Sequence, residues 1–243
     1  MSAAERVVAP DATALAGVVA DALVSAMAAA QAARGAAALV LTGGGIGTAT
    51  LRALAERAES VDWSTVQLWW GDERYLPTGD PERNETGARE ALIDALPIDP
   101  AQVHPVPGPD ASTSVEEAAA YYARELADAG SGGLPVIDVV LLGVGPDAHI
   151  ASLFPGHPAL ADDALAVPVH DSPKPPPTRV SLSRRSITAA REVWLLAAGA
   201  EKADAVLLAA GTEDPRVAPA GSVTGRERTV WFLDSAAAQR LPA

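Results

Sequence analysis

Short, nearly uninterrupted apolar runs at residues 37–41, 66–70 and 136–142 alternate with longer stretches whose apolar positions return every three or four residues. Runs of the first kind predict strands buried on both faces, and the second kind predicts amphipathic helices. Leu15, Val18, Val19, Ala22, Leu23, Ala26 and Met27 form one such stripe, opened by Asp11 as a helix cap and closed by Gly35. Further helices are expected at about 48–58, 85–95 and 201–210. Thr113 with Glu116 predicts a capping box opening a helix to Ala129. Short strands are expected at 179–182, 193–197 and 229–233, with a helical tail after the last. Residues 167–177 are expected to be irregular, because Pro173, Pro175, Pro176 and Pro177 exclude both helix and central strand. This alternation predicts an α/β fold: an open, mostly parallel sheet flanked by helices on both faces, with a small irregular or antiparallel lobe. There is no internal repeat or long linker, so residues 1–243 are expected to form a single domain.

Composition narrows the chemistry. Of 243 residues, 49% are hydrophobic but only 4% aromatic, so the core is built mainly from Ala, Val and Leu. Cysteine is absent, which removes disulfides, thiolate catalysis and cysteine-ligated metals, and suits a reducing cytoplasmic location. The start, Met1 to Arg6, lacks a basic segment followed by an apolar one, so no signal peptide is expected. No uncharged apolar run reaches the roughly 18–20 residues needed to span a bilayer, and no membrane partner is expected. A net charge of −13 argues against a nucleic-acid partner, since binding to phosphate backbones needs a basic face. An anionic ligand would have to meet local cations. Among 18 basic residues only Lys174 and Lys202 are lysines.

Three segments at predicted strand ends carry the candidate chemistry, where open α/β sheets bind ligands. In Thr42-Gly43-Gly44-Gly45-Ile46-Gly47-Thr48, glycines between strand and helix let backbone N–H groups reach an anion such as a monophosphate. A purely structural turn stays open as a reading. A dinucleotide loop is disfavoured, because Thr stands at the third glycine position. In Trp70-Gly71-Asp72-Glu73-Arg74, charge again follows a strand: either a self-paired turn or one wall of a polar pocket, with Arg74 offering fixed donors to an oxyanion. In Gly143-Val144-Gly145-Pro146-Asp147-Ala148-His149, an Asp and a His sit two positions apart before an apolar run expected to start a helix. An unperturbed imidazole titrates near 6.5, which suits a base at neutral pH.

Together these loops resemble the 6-phosphogluconolactonase family, grouped with the glucosamine-6-phosphate isomerases and deaminases. The match extends through Ile150-Ala151-Ser152-Leu153-Phe154-Pro155-Gly156, Pro176-Pro177-Thr178-Arg179-Val180-Ser181-Leu182 and the Gly199-x-x-Lys202 turn, in family order. The resemblance implies hydrolysis of 6-phospho-D-glucono-1,5-lactone to 6-phosphogluconate in the oxidative pentose phosphate pathway, with no cofactor and no metal. It implies His149 as general base, Arg74 at the oxyanion, and Asp72 and Asp147 as orienting groups. Gly43, Gly44, Gly45, Arg179 and Lys202 would hold the phosphate, and Lys174 is a lesser candidate. His104, His157 and His170 are expected to be structural or at the surface.

Two departures stand out. Ala148 occupies a position where the family usually has glycine, which predicts strain and a displaced loop if φ is positive there. Gly45 replaces a serine that many relatives carry. Two rival functions remain. The first is an aldose–ketose isomerase or deaminase on an amino-sugar phosphate, whose pattern wants a Glu five residues after the histidine, where this chain has Phe154. The second is a non-catalytic sugar-phosphate sensor.

Overall fold

The computed structural model describes residues 4–130 and 133–242. The first three residues, read above for a signal peptide, lie outside them. In chain order the elements are β1 (Glu5–Ala9), α1 (Ala12–Arg34), β2 (Ala37–Leu41), α2 (Gly44–Ala55), β3 (Val66–Trp70), β4 (Asp72–Arg74), α3 (Asn84–Ala91) and α4 (Val115–Ala129). They continue with β5 (Val139–Gly143), β6 (Ala166–Val169), β7 (Arg179–Leu182), α5 (Arg184–Thr188), β8 (Glu192–Ala197), α6 (Ala203–Ala210), β9 (Arg228–Asp234) and α7 (Ser235–Ala238).

Six strands form one parallel sheet in the order β1-β9-β8-β5-β2-β3, and β4-β7-β6 form a small antiparallel sheet. Because strand side chains alternate between faces, the large sheet organises two cores. On one face Leu39, Leu41, Leu68, Trp70, Leu141 and Phe232 pack with α1, α2 and α3. On the other, Val40, Trp69, Val140, Leu142, Leu195 and Leu233 pack with α4, α6, α7 and the small sheet. The predicted architecture is therefore observed: helices on both faces and a small antiparallel lobe.

The Asp11 side chain accepts from Ala14 N, and Gly35 ends α1 in the left-handed conformation, as the pattern predicts. The buried stripe is Leu15, Val19, Leu23 and Met27, whereas Val18 is turned outward. By length and composition α1 is apolar enough to cross a membrane; in this fold its stripe is fully buried against the sheet. Each such side chain contributes about 1.5–3 kcal/mol on leaving water. Tyr122 of α4 ties the second layer to the sheet: its hydroxyl donates to Trp70 O (3.0 Å) and accepts from Trp70 N (2.7 Å).

Several local expectations are corrected. α2 begins at Gly44 rather than near Thr48, inside the glycine loop. Ser114, not Thr113, caps α4, accepting from Glu117 N at 3.2 Å. Glu117 reaches back to Thr113 N at 2.7 Å, so the capping box lies one residue later than expected. Asp72–Arg74 is a strand, held by pairing with Arg179–Ser181 rather than by its own propensity. Part of the irregular region is strand β6, whose Pro168 is tolerated because β6 lies at the sheet edge. β1 was not anticipated. No helix follows His149; a tight bridge pairs Ile150 with Leu153 instead.

Candidate active site

From β2 the chain moves outward to β3, then returns to place β5 on the other side of β2. This reversal opens a crevice beyond the carboxyl ends of β2 and β5, where α/β sheets bind ligands. The glycine loop follows β2 and the Asp147–His149 loop follows β5. Gly143 N donates to Thr42 Oγ1 at 3.2 Å and pins the two loops together. The small sheet and the loops attached to it form the opposite wall. The resulting cleft, about 660 Å³, is lined by Gly43, Gly44, Gly45, Asp72, Arg74, His149, Lys174, Arg179 and Lys202, among others.

His149 is presented by a compact turn. Gly145 N donates to His149 O (2.9 Å) and Ala148 N donates to Gly145 O (3.0 Å). Ala148 has φ 63°, so the position does need the left-handed region, and the alanine adopts it. That costs about 1–2 kcal/mol relative to a right-handed residue. Ala148 is fully buried, and its carbonyl accepts from Ala220 N at 3.0 Å, so packing and hydrogen bonding offset the strain. Gly145 has a different reason. A Cβ there would lie 2.0 Å from His149 Nδ1 and Cε1, because the imidazole rests directly on the Gly145 backbone.

His149 Nδ1 is hydrogen bonded to Asp147 Oδ1. Burial pushes the Asp147 carboxyl up, but the His149 hydrogen bond and charge, with Lys174 further off, outweigh it and hold Asp147 at about 2. An ionised carboxylate only accepts, so Nδ1 carries the proton and Nε2 is left as the basic nitrogen. Phe154 packs under the imidazole, ring centroids 4.5 Å apart, and is almost wholly buried.

Asp72 is buried at the mouth of β4. It accepts from Ser152 Oγ (2.6 Å) and Asn84 Nδ2 (3.3 Å), with Arg179 Nη1 3.7 Å away. Ser152 lies in the matched segment after His149 but carries no role in the sequence reading, and nothing in the sequence marks Asn84. Arg179 was expected at the phosphate, and it does line the cleft. Three of its five N–H groups, however, are tied to backbone carbonyls: Nε donates to Pro176 O (3.0 Å), and Nη2 donates to Lys174 O (3.1 Å) and Pro175 O (3.0 Å), while Nη1 is turned to Ser152 Oγ (3.4 Å). It braces the proline-rich strap between β6 and β7. Arg74 donates to Glu82 O through Nη1, and its Nε–H has no partner among the described residues.

Glu73 turns away from the cleft. It is buried and accepts from Asn84 N (2.7 Å), Arg74 N (2.8 Å) and Glu85 N (2.8 Å), with Arg83 Nε 3.8 Å away. Burial pushes its carboxyl up to about 7, against the pull of Arg83 and those three N–H groups. It fastens α3, and with it Asn84, to the strand carrying Asp72 and Arg74. The remaining histidines do not line the cleft: His104 stacks on Trp69 at 3.8 Å, His157 is hydrogen bonded to His170 O at 2.8 Å, and the exposed His170 pairs with Glu116 at 2.8 Å.

The N-terminus of α2 has no side-chain cap: Gly43 is the cap residue, and no side chain satisfies the first N–H groups. Free N–H groups with the positive end of the helix dipole suit a phosphate. Lys202 lines the same cleft from the 3-10 turn Ala200–Lys202. Among the described residues no three His, Asp or Glu side chains gather to hold a metal ion.

The chain as a whole has well-matched relatives. Over 222 residues the chain is 53% identical to a 6-phosphogluconolactonase from Streptomyces coelicolor, covering 88% of this chain and 85% of that one. It is 47% identical over 239 residues to one from Mycobacterium tuberculosis, covering 96% and 97%. The crystal structure of 6-phosphogluconolactonase from Thermotoga maritima superposes with TM-score 0.84 at 27% identity, covering 95% of this chain and 99% of that one. A monomeric glucosamine-6-phosphate deaminase, TM-score 0.79 at 20% identity over 97% and 99%, shares the fold. Residues 10–231 match the family described as glucosamine-6-phosphate isomerases/6-phosphogluconolactonase, and the chain belongs to that family.

Proposed function

We propose that this protein hydrolyses 6-phospho-D-glucono-1,5-lactone to 6-phospho-D-gluconate in the oxidative pentose phosphate pathway, with His149 as general base. The observation that carries the assignment is the Asp147–His149 pair seated on Gly145 in the cleft, with Phe154 packed beneath it. Isomerase or deaminase chemistry needs a proton-carrying side chain where Phe154 stands. Lactone hydrolysis needs only water, a base and donors to an oxyanion.

The 6-phosphate sits at the uncapped start of α2, on Gly44 and Gly45, with Lys202 as its counter-charge. Gly43 sets the start of that helix. Water attacks C1 as His149 Nε2 takes its proton, and Asp147 stabilises the imidazolium that forms. Arg74, which lines the cleft, adds a positive charge beside the substrate. When the C1–ring oxygen bond breaks, His149 returns the proton to the ring oxygen, and the new carboxylic acid loses its proton to solvent. Asp72, held by Ser152 and Asn84, orients substrate hydroxyls. The whole chain acts as one sugar-phosphate lactonase domain in the cytoplasm, without nucleic-acid or membrane partners.

The test compares lactone opening with its spontaneous rate, on substrate with and without the 6-phosphate. Acceleration that is strong only on the phosphorylated lactone, with no ammonia from glucosamine 6-phosphate, is expected. Deaminase turnover, or no acceleration, overturns the reading.

A further inference from the structure

The reaction as written makes no use of Lys174, yet the fold delivers it to the base. The strap carrying it, residues 170–178, has no regular secondary structure but is fixed from two sides. Ser172 N donates to Pro177 O (2.9 Å), and Ser172 Oγ donates to Lys174 O (2.9 Å) while accepting from Lys174 N (3.3 Å). On the other side Arg179 donates to the carbonyls of Lys174, Pro175 and Pro176. Four prolines further restrict the chain before folding.

The Lys174 ammonium lies 3.5 Å from His149 Nδ1 and 3.9 Å from Asp147 Oδ1, and its side chain lines the cleft. Nδ1 is already the donor to Asp147, so the ammonium gains no acceptor from the ring. Asp147 attracts it, and its N–H groups stay available to a ligand. Burial pushes Lys174 down, Asp147 pulls it back up, and Lys202 and Arg179 push it down again. Lys174 and Lys202 therefore sense each other across one cleft, and an anionic ligand between them relieves that repulsion.

We infer that Lys174 is a catalytic residue that donates to the C1 oxygen of the lactone as the tetrahedral intermediate forms. This rests on the lactonase reading above. A general base must lie about 3 Å from the water it activates, and that water must bond to C1. The C1 oxygen is thus confined to the neighbourhood of His149, where the Lys174 ammonium lies 3.5 Å from the imidazole. In the step itself the water oxygen bonds to C1 and its proton passes to His149. The C=O electron pair moves onto the C1 oxygen, where Lys174 meets it. Collapse re-forms the C=O bond and expels the ring oxygen, which takes the proton from His149. Lys202, at the glycine loop, serves the phosphate instead.

The two lysines should separate in one experiment. Lys174→Met, Lys174→Gln and Lys174→Arg are assayed beside Lys202→Met, on 6-phosphogluconolactone and on unphosphorylated glucono-1,5-lactone, with the spontaneous rate subtracted. Lys174→Met and Lys174→Gln should lower kcat by roughly 10²–10³-fold on both lactones, as loss of an oxyanion donor does. KM should change little, and Lys174→Arg should recover part of the loss. Lys202→Met should raise KM on the phosphorylated lactone alone. Melting temperatures within a few degrees of wild type establish that the variants are folded. Normal kcat in both neutral variants, or a loss confined to KM for the phosphorylated lactone, overturns the assignment. Failure of the wild-type protein to exceed the spontaneous rate would sink the lactonase reading itself, so the two failures are distinguishable.

Discussion

Gly145→Ala is the most incisive single perturbation, because it drives a methyl group straight into the catalytic pair. The added Cβ would lie 2.0 Å from His149 Nδ1 and Cε1 and 2.7 Å from Asp147 Oδ1. Ordinary contact begins near 3.4 Å, so the imidazole must retreat by about 1.4 Å. It cannot sink, because Phe154 fills the space beneath it, so it must swing away from Asp147. Displacing a reacting group by about 1 Å costs on the order of 10²-fold, and loss of the Asp147 partner adds to that. We expect kcat/KM to fall by roughly 10²–10³-fold while the melting temperature changes little, since the turn's backbone hydrogen bonds survive. Gly87→Ala is the matched control. Gly87 lies within helix α3 with nothing within 4 Å of a Cβ, so that change should leave activity intact and stabilise by about 0.5–1 kcal/mol. Wild-type activity in folded Gly145→Ala would falsify the claim that His149 works from this pose.

Other outcomes follow from the same geometry. His149→Asn should cut turnover by roughly 10²–10⁴-fold in a folded protein, and near-normal turnover would return His149 to a structural role. Lys202→Ala should weaken use of the phosphorylated lactone by about 10–150-fold, the worth of one charge-assisted contact, and spare the unphosphorylated one. Arg179→Ala, by contrast, should harm both, because its donors hold the strap; a phosphate-selective loss would place Arg179 at the phosphate after all. Glu73 has a folded-state carboxyl raised to about 7 from 4.5, so its contribution to stability is present below about pH 4.5 and lost as pH rises through 7. Urea midpoints at pH 5 and pH 8 should show wild type losing up to about 3 kcal/mol relative to Glu73→Gln; a constant difference would refute the shift. EDTA should leave activity unchanged, and loss restored by Zn²⁺ would refute a metal-free mechanism.

Sequence alone determined the layered α/β architecture, because strands buried on both faces must be continuous apolar runs. It also determined the first helix, whose cap and terminal glycine are local devices. The glycine loop and the Asp147–His149 turn were legible for a similar reason: each needs particular residues at fixed spacing beside a strand end. Tertiary structure decided what depends on partners far along the chain. β1 is a mostly exposed edge strand that exists by pairing with β9, and polar Asp72–Arg74 becomes a strand only against β7. Spacing grouped Asp, Glu and Arg as one charged loop, but burial separated them: Asp72 and Arg74 face the cleft while Glu73 is sealed beneath α3. It likewise tied Arg179 to the strap beside the cleft and brought Lys174, 25 residues from His149, to the base. Local propensity and spacing specify the elements and the reactive turn. Which charges meet substrate is set by desolvation and long-range hydrogen bonds, which exist only once the sheets have closed.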